Sequence, residues 1–304
     1  MVGYDGKNMN KMHTYCLYSM ILVLLLLSLP IVSCASASPE NVRHRLISLS
    51  PVITENVFLL GLGDQLVGNT TYCNKPEAAR RVEKVGSVME INIEKIVRLR
   101  PDLILVSNLT PLSLLEQFDA LGIRTKFFPQ TTSFAEICEQ FIDLGRELGR
   151  EKEALEVVRT AQQQVNEVRS QVQSLPKQRV FLQVGANPLF SSMKDSFTHE
   201  YILFGGGLNI AEGLQFGALS TEHVLALAPD VIIIAVMGSE SGVGVQEKEK
   251  WERYTSLKAV SSGRVYVLDA DEVCSPSPIT FARVLSTIAR LIHPELWNKE
   301  DDGD

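Results

Sequence analysis

Apolar positions along this chain follow two periods. Short apolar runs rich in branched residues at Leu46–Leu49, Leu66–Gly68, Thr125–Phe128, Arg179–Val184 and Val265–Leu268 predict strands. Stretches with apolar residues three and four apart predict helices at Thr54–Leu60, Leu112–Leu121, Thr198–Phe204 and Ile279–Ile292. One composite pattern occurs twice. The segment from Asn92 to Pro101-Asp102, followed by Leu103–Val106, returns as the segment from Ser220 to Pro229-Asp230, followed by Val231–Ile234. Glu94 and Glu222, the two prolines and the two aspartates each stand 128 positions apart. Each copy predicts a short helix behind a polar cap, Asn92 or Ser220, stopped by a Pro-Asp turn that feeds a buried strand. A unit used once per half implies two similar lobes. Strands alternating with helices imply an α/β fold with mostly parallel sheets covered on both faces, and a cleft between two such lobes commonly holds a small molecule.

Ser133 to Ser174 carries no strand pattern. Within it Ala154, Val158, Ala161, Val165, Val168 and Val172 recur four and three apart, predicting an amphipathic helix roughly 30 Å long with one narrow apolar stripe. A coiled-coil dimer is one use of that stripe, but its clean heptads are few. A backbone helix joining the lobes is expected instead, a link that allows only limited opening of the cleft. The expected organisation is an export signal over 1–33, a tether over 34–44, lobes over 45–130 and 178–293 with a helical linker over 131–177 between them, and an acidic tail over 294–304.

The 304 residues carry a net charge of −7 with no basic face, which excludes nucleic acid as a partner. Apolar Cys16–Val32, preceded by Lys7 and Lys11 and followed by small residues, has the layout of an export signal. Its 17 residues are at the lower limit for a membrane span, the alternative reading, and Pro30 favours cleavage. Ile31-Val32-Ser33-Cys34 has the form of a bacterial lipobox, in which the Cys34 sulfur is acylated and becomes the anchored N-terminus. Cleavage after Ala35-Ser36-Ala37 would instead release a soluble protein outside the cytoplasm.

Beyond Cys34 stand Cys73, Cys138 and Cys274, without Cys-x-x-Cys spacing. Cys138 shares a helical face with Phe134, Ile137, Phe141 and Ile142 and reads as a core residue. Cys73 and Cys274 are expected in loops after strands, lining the cleft, paired, or inert. His44, His199, His223 and His293 include no pair at helical i, i+4 spacing, so no metal site is expected. His199 beside Glu200 and His223 beside Glu222 read as solvated helix residues. The glycine clusters Gly61–Gly63, Gly205–Gly207 and Gly238–Gly244 fit neither a dinucleotide fingerprint nor a phosphate loop and read as turns and helix ends. No catalytic motif and no cofactor motif is present, so binding without catalysis is expected. An exported enzyme with an interlobe active site and a ligand-sensing receptor are the alternatives from other classes. Glu94 and Glu222 admit two uses: complementing a helix dipole, or docking across a two-fold symmetric partner that carries basic residues.

Arg45-Leu-Ile-Ser-Leu-Ser-Pro51-x-x-Thr54-Glu55, Thr70-Thr-Tyr72, the Asn92–Asp102 unit and Arg179-Val-Phe-Leu-Gln-Val-Gly185-Ala-Asn187-Pro188-Leu-Phe190 resemble the cobalamin-binding members of the substrate-binding proteins of bacterial ABC importers. More broadly the chain is similar to the helical-backbone class that also serves ferric siderophores and haem. The resemblance runs from about Arg45 to His293. It implies that Glu94 and Glu222 meet arginines of a dimeric permease, and that Tyr72, Asn187, Phe190, Phe216 and Asp271 contact the ligand. Phe216 falls where cobalamin-binding members have a tryptophan. Val88 stands where they have another, and Asp271-Glu272-Val273-Cys274 replaces an aromatic-bearing loop. The implied ligand is a metal-containing small molecule: a corrinoid or, alternatively, a ferric siderophore or haem.

Overall fold

The computed structural model describes residues 44–87, 89–214, 216–236 and 242–296, so the signal segment, Cys34, Val88 and most of the acidic tail lie outside the described residues. The described residues belong to one compact unit that starts at His44. Strands β1 (Leu46–Ser48), β2 (Leu66–Asn69), β3 (Leu103–Ser107) and β4 (Thr125–Phe128) form an all-parallel sheet in the order β2-β1-β3-β4. The second sheet contains β5 (Gln178–Ala186), β6 (Leu189–Ser191), β7 (Gly207–Asn209), β8 (Val231–Ile234) and β9 (Val265–Val267). One edge of β5 is shared, its first half pairing in parallel with β7 and its second half antiparallel with β6. The parallel order β7-β5-β8-β9 therefore repeats β2-β1-β3-β4.

Because successive strand side chains point to opposite faces, each sheet splits its apolar residues between two cores. Leu46, Leu103 and Leu105 of the first sheet and Val180, Leu182, Val231 and Ile233 of the second join one continuous core with the connecting helices. Ile47, Ile104 and Val106 face a separate core, as do Phe181, Ile232 and Ile234 in the other lobe. Both faces of each sheet are thus covered, which is why these strands carry unbroken apolar runs.

The repeated unit is held by a device that also repeats. Asn92 Oδ1 accepts from the Lys95 N–H at 2.8 Å, and Ser220 Oγ from the His223 N–H at 3.2 Å. The two helices, Ile93–Leu99 and Thr221–Leu227, each end in a left-handed residue, Arg100 with φ 47 and Ala228 with φ 45. Without glycine that conformation costs about 1–2 kcal/mol. The turn is fixed from the neighbouring strand. The guanidinium of Arg45 donates to Leu99 O at 2.7 Å, and that of Arg179 to Leu227 O at 2.6 Å, satisfying carbonyls that a helix end leaves open. The Asp102 and Asp230 carboxylates accept from the Arg45 and Arg179 N–H groups, both at 2.8 Å.

Burial alone pushes the Asp230 carboxyl up, but hydrogen bonds from Lys258 and the Arg179 N–H, with the charges of Lys258 and Arg264, hold it below the usual range. The carboxylate's contribution is therefore complete above the unfolded-chain value near about pH 4 and is lost as pH falls through the lower folded value. Asp230→Ala is expected to cost about 1–3 kcal/mol at neutral pH. Urea midpoints taken from neutral to acid pH check this, the gap from wild type closing in acid. A gap that stays constant would show that the charge contributes nothing.

Between the lobes run helix Phe134–Glu147, capped by Ser133, and helix Glu151–Val172, separated by a turn at left-handed Gly149. The six stripe residues of the longer helix are buried. They pack along the closing helix Pro278–Ile292, whose Ser277 cap and Pro278 fix its start. The stripe is consumed within the chain, so no apolar seam remains on it for a coiled coil. A Cβ on Gly145 would stand 2.5 Å from the Ala154 Cβ, so glycine permits the close approach of the two connecting helices. Phe281, fully buried, stacks on Phe134 and Tyr201 with centroids 4.6 and 4.4 Å away and joins the connector to the second lobe.

Several local expectations change. His199 is 5% exposed, its Nδ1 3.0 Å from Asn209 Nδ2, and burial lowers its pKa. Glu200 is half-buried: its carboxylate accepts the Phe134 N–H at 2.6 Å, and burial raises its pKa. Helix Phe197–Phe204 is apolar on most sides, so it takes His199 into the interior; His223 is exposed. Cys274 closes a short helix, Ala270–Cys274, where a loop was expected. Cys73 and Cys274 are unpaired. Burial pushes the Cys138 and Cys274 thiols up to about 12, which makes both unreactive. Of the third glycine cluster, Gly242 is left-handed and opens helix Val243–Glu252.

Candidate functional site

Open parallel sheets present their crevice beyond the carboxyl ends of the strands. In the first lobe β2 leads into the turn Thr70–Cys73. The Cys73 thiol is fully buried, with the Thr54 and Thr70 hydroxyl oxygens at 3.1 and 3.2 Å, and this inward anchor leaves the preceding Tyr72 58% exposed. In the second lobe β5 leads into a tight hairpin with exposed Asn187 at its turn and Phe190 on β6. The Ser191 N–H donates to Gly217 O and the Leu219 N–H to Leu189 O, so β6 lies between β5 and residues 217–219. A Cβ on Gly217 would come within 2.3 Å of the Phe190 ring, so glycine makes room for it. Phe216, 76% exposed, adjoins this segment. Phe190 and Phe216 therefore share one lip, and Tyr72 stands on the other lobe.

Asp271 is exposed in the first turn of helix Ala270–Cys274, its N–H donating to Asp269 Oδ1 at 2.9 Å. Here the lobes touch. Lys75 Nζ, three residues past Tyr72, reaches Asp269 at 2.6 Å and Glu272 at 3.3 Å, and Arg283 also pairs with Glu272 at 3.1 Å. Burial pulls the Lys75 pKa down, but the bonds and charges of Asp269 and Glu272 outweigh it and hold it raised. A second link has Glu55 Oε1 accepting from Ser277 Oγ at 2.9 Å and Thr280 Oγ1 at 2.7 Å. Sequence reasoning missed Lys75, Asp269 and Glu55. The available signal was an acid-rich Asp269–Glu272 segment in one lobe and a lysine close to the lip tyrosine in the other.

Glu94 and Glu222 are exposed, one per lobe, and carry no ion pair among the described residues. A helix that feeds a strand through a tight turn runs back against it, so both glutamates lie toward the strands' carboxyl ends, the crevice side of each lobe. The Glu222 carboxyl is held below its ordinary value by its own backbone N–H and by the Ser220 hydroxyl. Two surface concavities lie elsewhere, one beside β9 lined by Val245, Lys248, Tyr266 and Leu291, the other along the long helix at Arg159–Ser170. Neither includes Tyr72, Phe190, Phe216 or Asp271.

The family model described as periplasmic binding protein matches residues 46–272. The chain is 28% identical over 263 residues to the uncharacterized ABC transporter substrate-binding lipoprotein YvrC of Bacillus subtilis (strain 168), covering 84% of this chain and 82% of that one. It is 34% identical over 208 residues to the vitamin B12-binding protein of Yersinia pestis (strain Pestoides F), covering 67% and 73%. Among solved structures, the periplasmic vitamin B12 binding protein BtuF of Vibrio cholerae matches with a TM-score of 0.67 at 28% identity, over 82% of this chain and 98% of that one.

Proposed function

The chain belongs to the periplasmic binding protein family, and we propose that it is the substrate-binding component of an ABC importer, capturing a cobalamin-like corrinoid and delivering it to a dimeric permease. The observation that carries the ligand assignment is the set of solvent-facing aromatics, Tyr72 on one lobe and Phe190 with Phe216 on the other. Exposed rings on both lobes suit a broad conjugated macrocycle, whose faces they can cover. Asn187 both donates and accepts and Asp271 accepts, which matches a ligand rim rich in amides. The 34% identity to a vitamin B12-binding protein supports the same class. Glu94 and Glu222 dock the loaded protein onto permease arginines. Export and acylation at Cys34 keep it at the membrane, consistent with the lipoprotein name of the Bacillus relative. The reading requires no catalytic step.

The mature protein purified from its host tests both ends of this reading. A corrinoid absorption spectrum and a diacylglyceryl mass on Cys34 are expected, whereas an unmodified N-terminus at Ser38 would remove the anchor. Tyr72→Ala, Phe190→Ala and Phe216→Ala are each expected to weaken binding by ~1–3 kcal/mol, about five- to hundredfold, with little change in melting temperature. Calorimetric titrations with cyanocobalamin, cobinamide, haem and a ferric siderophore measure this. Binding of haem or the siderophore in place of the corrinoids would move the chain to the iron importers. Binding that survives loss of all three rings would relocate the site.

A further inference from the structure

We infer that Lys84 is a positioning residue for the lip loop Thr70–Ala79, its ammonium serving as the peg around which the loop that carries Tyr72 and Lys75 is wound. Lys84 Nζ lies 2.8 Å from Asn69 Oδ1, 3.1 Å from both Cys73 O and Ala79 O, and 3.3 Å from Thr70 O. All four are acceptors, and an ammonium offers three donors, so the site is one of shared, charge-assisted bonds. The three carbonyls come from before, within and after the segment that presents Tyr72 and Lys75.

The backbone of Lys84 is itself fixed to the end of β2. Residues Asn69 and Lys84 form a parallel bridge in which the Asn69 N–H donates to Glu83 O and the Val85 N–H to Asn69 O, both at 2.9 Å. Asn69, fully buried, adds its own side-chain bond to Ala79 O at 3.0 Å. The loop's backbone bonds are mostly local: Cys73 N–H to Thr70 O, Asn74 N–H to Tyr72 O and Ala79 N–H to Pro76 O, with Thr71 N–H to Gly86 O at its start. Turns of this kind close small rings without tying the two ends of the loop together. Lys84 and Asn69 make that tie, and Lys75, midway, carries the loop to the other lobe.

Hydrogen–deuterium exchange of the full-length, ligand-free protein tests this directly. In Lys84→Met, exchange at the Cys73, Asn74 and Ala79 amides is expected to rise about tenfold or more, with β3 and the second lobe unchanged. Lys84→Gln, which keeps a neutral donor, should fall between, and it replaces Lys84→Met if that variant fails to fold. Unchanged loop exchange, or a rise spread evenly over the chain, overturns the inference. A second arm rests on the ligand reading above and uses cyanocobalamin. Lys84→Met should weaken binding by about tenfold in the wild-type background and hardly at all in Tyr72→Ala, the non-additivity of two residues acting through one contact. Additive losses overturn the positioning role. If Tyr72→Ala alone leaves affinity unchanged, the site reading fails, and the exchange data still decide the case of Lys84.

Discussion

Glu94→Ala combined with Glu222→Ala is expected to abolish uptake through the permease while leaving ligand affinity in solution nearly unchanged. The two carboxylates occupy matched positions of a repeated unit, one per lobe, and are exposed without an ion pair among the described residues. As helix-dipole partners alone they are worth ~0.3–1 kcal/mol each, a scale that shifts the folding midpoint slightly and leaves transport intact. As halves of charge pairs across an interface they are worth ~2–5 kcal/mol each when truncated, so the double variant should lose complex formation by well over tenfold. Uptake of labelled ligand in cells, set beside calorimetry on the free protein and capture by the permease in nanodiscs, separates the two. Transport at the wild-type rate would return both residues to helix capping.

Phe281→Ala is expected to lower the unfolding free energy by about 3–5 kcal/mol, a large part of the ~5–15 kcal/mol that holds a domain folded. The ring is fully buried and stacked on two others, one on the connector helix and one on the second lobe. The packed helices around it can collapse only partly into the space it leaves. Phe281→Leu, which keeps most of the volume, should cost distinctly less. Urea unfolding of the three proteins checks the order. A loss under about 1 kcal/mol for the alanine variant would show that the seam relaxes freely.

What the sequence made legible is what short-range chemistry controls. The caps Asn92 and Ser220 act on amides three residues away, and the stripe of Glu151–Val172 is set by helical spacing alone. The short strands β6 and β7 were not legible. Each has three residues and depends on the free edge of β5 for its bonds. The arginine clips join Arg45 to Asp102 and Arg179 to Asp230, 57 and 51 positions apart, and no local pattern connects them. At the cleft the gap is wider still, with Lys75 and Asp269 separated by 194 positions. The burial of His199 and the half-burial of Glu200 were hidden because a His-Glu pair looks the same on a wet helix as beneath the Phe134 N–H.

The unbroken helix Glu151–Val172, its apolar stripe buried against the closing helix, bears on how a permease would tell a full carrier from an empty one. A ligand biases a protein only through the difference in its affinity for two states, and a link of this stiffness leaves few states to choose between. Under the proposed docking, the spacing of Glu94 and Glu222 is expected to change little on loading, so that empty copies present nearly the same docking face as full ones. Unloaded protein would then compete for the transporter. Raising its abundance beyond the supply of ligand should slow import, so the cell gains from keeping carrier numbers matched to pumps.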